Sequence, residues 1–213
     1  MTTTTQNATS AKHSTTSDHP LKQTPSQTVG PYFAYGLTPT QYNYGFESLF
    51  TPVIAQPEAK GEHITITGQV FDANGVPIAD ALLEFLQPNS EGRYIGTPQE
   101  AAETGFSGFG RVGTGTDPKA RYTIDTLKPG VAVAGDAPHI NVIVLMRGLL
   151  VHAFTRIYFD DEAAANSNDP VLSTVPAERR ATLIAKREPI SGKKTYRFDV
   201  RMQGDGETVF FDL

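Results

Sequence analysis

The chain has no cysteine and no tryptophan, and only three methionines among its 213 residues. Without a thiol it can form no disulfide, no thiolate metal site and no cysteine nucleophile. A chain of this length buries about 70% of its unfolded surface and needs no covalent or metal staple to fold. Long apolar runs are missing too. The longest, Val142–Met146, falls far short of the roughly 20 residues that span a bilayer. Nor is there a block of one charge. Eighteen Lys and Arg stand against 23 Asp and Glu, for a net charge of −5. That balance leaves no footprint for nucleic acid or an anionic membrane. The expectation is a soluble, cytoplasmic protein of one domain with appended arms.

What is present divides the chain into three parts. Residues 1–20 are rich in Thr and Ser, and over Met1–His19 only Met1, Ala8 and Ala11 are apolar. No apolar core follows a basic start, which argues against a secretory signal, and the composition predicts a disordered tail. Residues 21–60 begin with a Pro-, Gly-, Tyr- and Gln-rich tract to Phe50 that has neither helical nor strand period. Pro25, Pro31, Tyr32, Phe33 and Tyr35 give it a preset backbone and large contact area, so it reads as an extended arm laid against a partner.

Residues 61–213 carry the strand signals. Ile64, Ile66 and Val70 lie in phase along His63–Phe71, followed by the turn Asp72-Ala73-Asn74-Gly75. Further strands are expected over Ala81–Gln87, Arg121–Leu127, His139–Met146, Val151–Phe159, Thr182–Pro189 and Lys193–Gln203. Residues 88–116 read as one long irregular loop, 160–169 as an acidic excursion, and Ala177–Ala185 as the place for a short helix. Short strands punctuated by Gly and Pro predict an all-β fold, an antiparallel β-sandwich with an N-terminal arm and long irregular loops.

The most informative segment for chemistry is Ala137-Pro138-His139-Ile140-Asn141. Residues two apart on a strand face the same side, so a His-x-His pair there aims two imidazoles at one ion. Here the second position is Asn141, whose amide is a poor ligand for a hard trivalent metal. Alone, His139 reads more readily as a hydrogen-bonded core residue than as a ligand, and Asn141 as a group that satisfies buried backbone. Arg147, beside Gly148 and between two apolar strands, is costly to bury unless it meets an anion or a carbonyl cluster. Its candidates are Asp160, Asp161 or Glu162 within the chain, or a ligand outside it.

Four segments together resemble the intradiol ring-cleaving dioxygenases: Thr24–Tyr32, Ala137–Asn141 with Arg147-Gly148, Thr155–Glu162, and Gly206–Asp212. The resemblance covers nearly everything from Thr24 onward. It implies a β-sandwich working in an αβ hetero-oligomer. Its β subunit holds Fe(III) through two tyrosines and two histidines, and the complex opens an aromatic substrate such as 3,4-dihydroxybenzoate with O2. Carried onto this chain, the four ligand positions fall near Pro98, at Ala132, at His139 and at Asn141. Only His139 keeps a ligating side chain, so the resemblance implies that this chain holds no metal and no catalytic residue of its own. It implies instead that Thr28, Gly30, Pro31, Tyr32 and Arg147 contribute to the substrate pocket of the iron-bearing β subunit, and that Arg156 is an internal salt-bridge residue. Two rival readings stand beside this one. Tyr94 and Tyr122 lie near the lost tyrosine positions and could serve a self-sufficient dioxygenase with shifted ligands. A non-enzymatic β-sandwich binding module is the other.

Overall fold

The computed structural model describes residues 22–30, 32–189 and 192–212. The Thr/Ser tail, Pro31, Ile190 and Ser191 lie outside the described residues. Among the described residues nine strands form one hydrogen-bonded sheet, eight of them in a single path. They are β1 (His63–Phe71), β2 (Leu82–Leu86), β3 (Phe109–Gly113), β4 (Arg121–Leu127), β5 (Ile140–Leu145), β6 (Ala153–Phe159), β7 (Ile184–Arg187), β8 (Lys194–Arg197) and β9 (Val200–Arg201). The order is β3-β2-β5-β6-β7-β8-β1-β4, with β9 paired to β1. Alternation drives it: β1 buries every second residue, and Ile64, Ile66 and Val70 are wholly inaccessible. Inward residues from both halves of the path share one core, in which Phe85 of β2 meets Tyr122 of β4 with ring centres 5.7 Å apart.

The pairing is mixed where a purely antiparallel fold was expected. β6–β7, β1–β8 and β1–β9 are parallel. Parallel neighbours need a long connection, and residues 160–183 supply it between β6 and β7. That excursion is not featureless. It holds a 3-10 turn at Asp160–Glu162 and the helices α3 (Ala163–Asn166) and α4 (Pro170–Thr174), preceded in sequence by α1 (Phe33–Leu37) and α2 (Pro98–Thr104). A second 3-10 turn at Arg180–Leu183 takes the place of the expected short helix.

Two other expectations need correction. Residues 88–116 are not one irregular loop, because α2 and β3 lie within them. Thr97 caps α2 by accepting from Glu100 N–H, Pro98 takes the first turn, and Gly105 closes it at φ 68°. β3 is hard to see because Gly110 and Gly113 interrupt its pattern. A Cβ at Gly110 would lie 2.5 Å from Ile54 Cγ1, so packing demands the glycine. The strand expected over Lys193–Gln203 is interrupted after Arg197, where Asp199 turns its carboxylate to Gln69 N–H. Its phase survives the break: Ile66 faces Tyr196, and Val70 faces Val200.

The arm has local structure, and its later part also touches its own domain. α1 is followed by a 3-10 turn over Pro39–Tyr42. Gln41 both donates to Gly113 O at 2.7 Å and accepts from Gly113 N at 2.9 Å, so it extends the exposed edge of β3. Phe50 packs on Phe109, and Arg111 lies 5.3 Å from the Phe50 ring centre.

Candidate functional site

Arg147 sits in the tight turn between β5 and β6, just before Gly148 at φ 95°. Its guanidinium pairs through Nε with Asp80, not with Asp160, Asp161 or Glu162. On the other side of the turn, Gly148 N–H donates to Thr28 Oγ at 2.8 Å. The structure therefore brings Thr28 of the arm to Arg147. Beside them a cleft of about 290 Å3 opens between Ser26, Gln27 and Val29 of the arm and Leu149–His152. Gly30 is exposed, and Tyr32 is 76% exposed, touching Tyr35 at 5.9 Å between ring centres. Pro31 lies outside the described residues.

Ala132 lies on the loop that runs from Lys128 to His139. The start of this loop is fastened by a buried cation. Lys128 Nζ stands 2.5 Å from Asp161, 3.1 Å from Glu162 and 3.3 Å from Tyr196 Oη, between the rings of Phe159 and Tyr196. Partial burial works against the Asp161 charge, but hydrogen bonds from Lys128 and Tyr196 outweigh it and hold the carboxyl below its usual range. The loop is also clasped by the turn Asn89–Arg93. Gly130 N–H donates to Asn89 O, and a Cβ at Gly92 would lie 2.0 Å from the Val131 carbonyl oxygen. Pro98 is exposed at the start of α2.

His139 closes the loop. It is 7% exposed, its Nδ1–H donates to Ala137 O at 2.9 Å, and its ring lies 5.7 Å from that of Tyr158. Burial pushes the imidazole below its usual pKa, which keeps it neutral at pH 7. Asp169, wholly buried, organises the neighbourhood. It accepts from Ala137 N–H at 2.8 Å, from Leu172 N–H at 2.7 Å as the cap of α4, and from Tyr158 O–H at 3.1 Å. Asn141 is half-buried and lines an outward trough of about 280 Å3 with Leu86, Phe109, Ile143 and Phe154. Its amide makes no hydrogen bond to another described residue, so it does not serve buried backbone.

The model of the family described as Dioxygenase matches residues 30–143. The protocatechuate 3,4-dioxygenase alpha chain of Burkholderia cepacia is 63% identical over 91% of this chain and 98% of its own length. The chain belongs to the intradiol ring-cleavage dioxygenases. The beta chain of the same Burkholderia enzyme is 28% identical over 89% of this chain and 83% of its own. Among solved structures, an intradiol ring-cleavage dioxygenase from Tetranychus urticae superposes with a TM-score of 0.57, at 20% identity over 85% of this chain and 94% of that one, which speaks for the fold.

Intradiol dioxygenases use Fe(III), and the residues present do not fit it. Among the described residues no group of three or more His, Cys, Asp or Glu could hold a metal ion. Ala132 offers no donor atom. The tyrosine against His139, Tyr158, has its hydroxyl committed to Asp169 at 3.1 Å, and burial, with Asp169 adding to it and Arg156 opposing it, pushes its phenol up to about 12. Tyr122 is wholly buried with its hydroxyl donated to Phe198 O at 2.5 Å, and burial pushes its pKa up as well. Tyr94 is 41% exposed. A hard trivalent ion needs anionic oxygen donors beside imidazole, and His139 stands here without them. His63 Nε2–H donates to Ala59 O at 2.8 Å, and His152 meets Phe154 edge to face.

The Thr155–Glu162 block likewise serves the fold of this dioxygenase chain. Tyr158 reaches Asp169, Phe159 and Asp161 enclose Lys128, and Asp160 accepts from Arg187 N–H. Arg156 makes no ion pair among the described residues. Its guanidinium lies 6.0 Å from the Phe211 ring centre and contacts Tyr158 Oη, a correction to its expected salt bridge. Sequence reasoning missed Asp80, Lys128 and Asp169. The signal for Asp169 was there, an Asp before Pro170, as an N-cap and first-turn pair.

Proposed function

We propose that this chain is the iron-free alpha subunit of a protocatechuate 3,4-dioxygenase, completing the active site of a beta subunit that carries Fe(III). The complex cleaves 3,4-dihydroxybenzoate with O2 between its two hydroxyl-bearing carbons, giving 3-carboxy-cis,cis-muconate. It is a two-layer β-sandwich whose arm, residues 21–60, reaches the partner, and it works in the cytoplasm. No helix among the described residues is long and apolar enough to cross a membrane.

The observation that carries this reading is the near full-length 63% identity to an alpha chain, in a chain whose Ala132 and Asn141 replace donors that Fe(III) requires. Thr28, Gly30, Pro31 and Tyr32 wall the partner's pocket, because Gly and Pro let a backbone approach a ligand closely. Arg147 adds positive potential for an anionic substrate.

The test is co-expression with a beta chain, followed by metal analysis and a visible spectrum. The alpha chain alone is expected to be colourless and free of stoichiometric iron, and the complex to be coloured and active. About one tightly bound iron per isolated alpha chain, with a charge-transfer band, overturns the reading.

A further inference from the structure

We propose that Asp80 is a positioning residue for Arg147: it holds the guanidinium so that its outer Nη edge is presented to the carboxylate of the aromatic substrate. This rests on the reading of Arg147 as pocket-facing.

Strand register builds the pair. β2 and β5 run antiparallel with Leu83 opposite Val144 and Leu82 opposite Leu145. Two steps further along the same register stand Asp80 and Arg147, just outside the ladder. The contact between them uses Nε. The two Nη groups meet no acceptor among the described residues. A carboxylate on the Nε side leaves the outer edge of the fork free, with parallel N–H donors spaced for a second carboxylate. Had Asp80 bridged both Nη groups, it would compete with such a ligand. In this geometry it orients the fork instead.

Two further features point the same way. Thr28 fixes the backbone of the turn at Gly148, so the arm sets the main chain while Asp80 sets the side chain. The Arg147 side chain is 57% exposed, and an exposed ion pair adds little to folding stability. A long side chain held in place loses less conformational entropy when it captures an anion.

The experiment measures kcat/KM for 3,4-dihydroxybenzoate and for catechol, which lacks the carboxylate, in the co-expressed complex normalised to its iron content. Asp80→Ala is expected to lower the ratio of the two by about two- to fivefold, the range of an exposed ion pair, chiefly through KM for the carboxylated substrate. Asp80→Asn, which keeps shape without charge, is the second variant should Asp80→Ala fail to assemble. On an Arg147→Met background, Asp80→Ala should change the ratio no further. If Arg147→Met leaves the ratio at the wild-type value, the pocket-facing reading of Arg147 has failed and this inference goes with it. If Arg147→Met lowers the ratio but Asp80 variants leave it unchanged, raise it, or slow both substrates equally, Asp80 does not position Arg147 and only this inference is overturned.

Discussion

Lys128 Nζ lies 2.5 Å from Asp161 and 4.9 Å from the centre of the Phe159 ring. The acidic residues after β6 thus act on the loop that leaves β4, and that loop carries Ala132 and ends at His139. The cation is inserted between two aromatic faces and two carboxylates, a place where a neutral side chain leaves like charges facing each other.

Lys128→Met is therefore expected to destabilise the chain by about 2–4 kcal/mol, as when one partner of a largely buried ion pair is removed. Denaturant unfolding followed by circular dichroism measures it. A loss below about 0.5 kcal/mol would show that the cluster does not fasten the loop.

Gly92→Ala should be costly out of proportion to one methyl group. Gly92 has φ 82°, and its Cβ would lie 2.0 Å from a backbone oxygen that cannot move aside like a side chain. We expect a loss of more than about 2 kcal/mol, in the range of strain at special backbone positions. Gly75→Ala is the control, at φ 74° with no atom within 4 Å of its Cβ. Equal losses at both sites would mean that only the backbone angle matters.

Stability should fall in two separate windows of pH. The imidazole of His139 is held below its unfolded pKa by burial, with Arg156 adding to that and Asp136, Asp169 and the Ala137 carbonyl opposing it. Between the folded and unfolded values the unfolded chain binds the extra proton. Its contribution is thus complete above about pH 6.5 and is lost as pH falls below it, by at most about 1.4 kcal/mol per pH unit. His139→Gln should flatten that limb. The lowered carboxyls of Asp161 and Asp169 contribute above about pH 3.9 and lose their contribution as pH falls through their folded values. Unfolding midpoints from pH 8 to pH 3 separate the two. A curve with no change between pH 7 and pH 5 in wild type would contradict the His139 assignment.

Deleting Met1–His19 should leave folding, assembly and turnover unchanged, because its Thr- and Ser-rich composition has little with which to build an interface. Size-exclusion chromatography and steady-state rates of the truncated complex are the measurements, and loss of the complex would refute it.

Strands with a clean period of two were legible in the sequence. His63–Phe71 and Arg121–Leu127 begin and end where expected, because one face of each is buried and the other is not. β3 was hidden by two glycines, of which packing requires Gly110, and α2 was lost inside a Gly-rich stretch although Thr97-Pro98 with Glu100 marked its start. Parallel pairing was invisible for a different reason: which strands become neighbours depends on the path of residues 160–183, and no local pattern encodes it. At the candidate site, Arg147 and Thr28 were singled out by the resemblance, and the structure places them side by side. Asp80 could not be found that way, since it is one acidic residue in a turn and acquires meaning only through the β2–β5 register.

The loop from Lys128 to His139 is tied down at Lys128, Gly130 and Ala137, by groups that are not metal donors. Ala132 contributes a methyl group, and Asn141 an amide that no described residue uses. Folding and metal binding therefore make separate demands on this segment. Selection for a well-folded chain preserves the fastenings but is blind to positions 132 and 141. Only selection for chemistry can hold donors there, and in the proposed alpha-subunit reading, where a neighbouring subunit supplies that chemistry, such positions are free to drift while the scaffold stays the same.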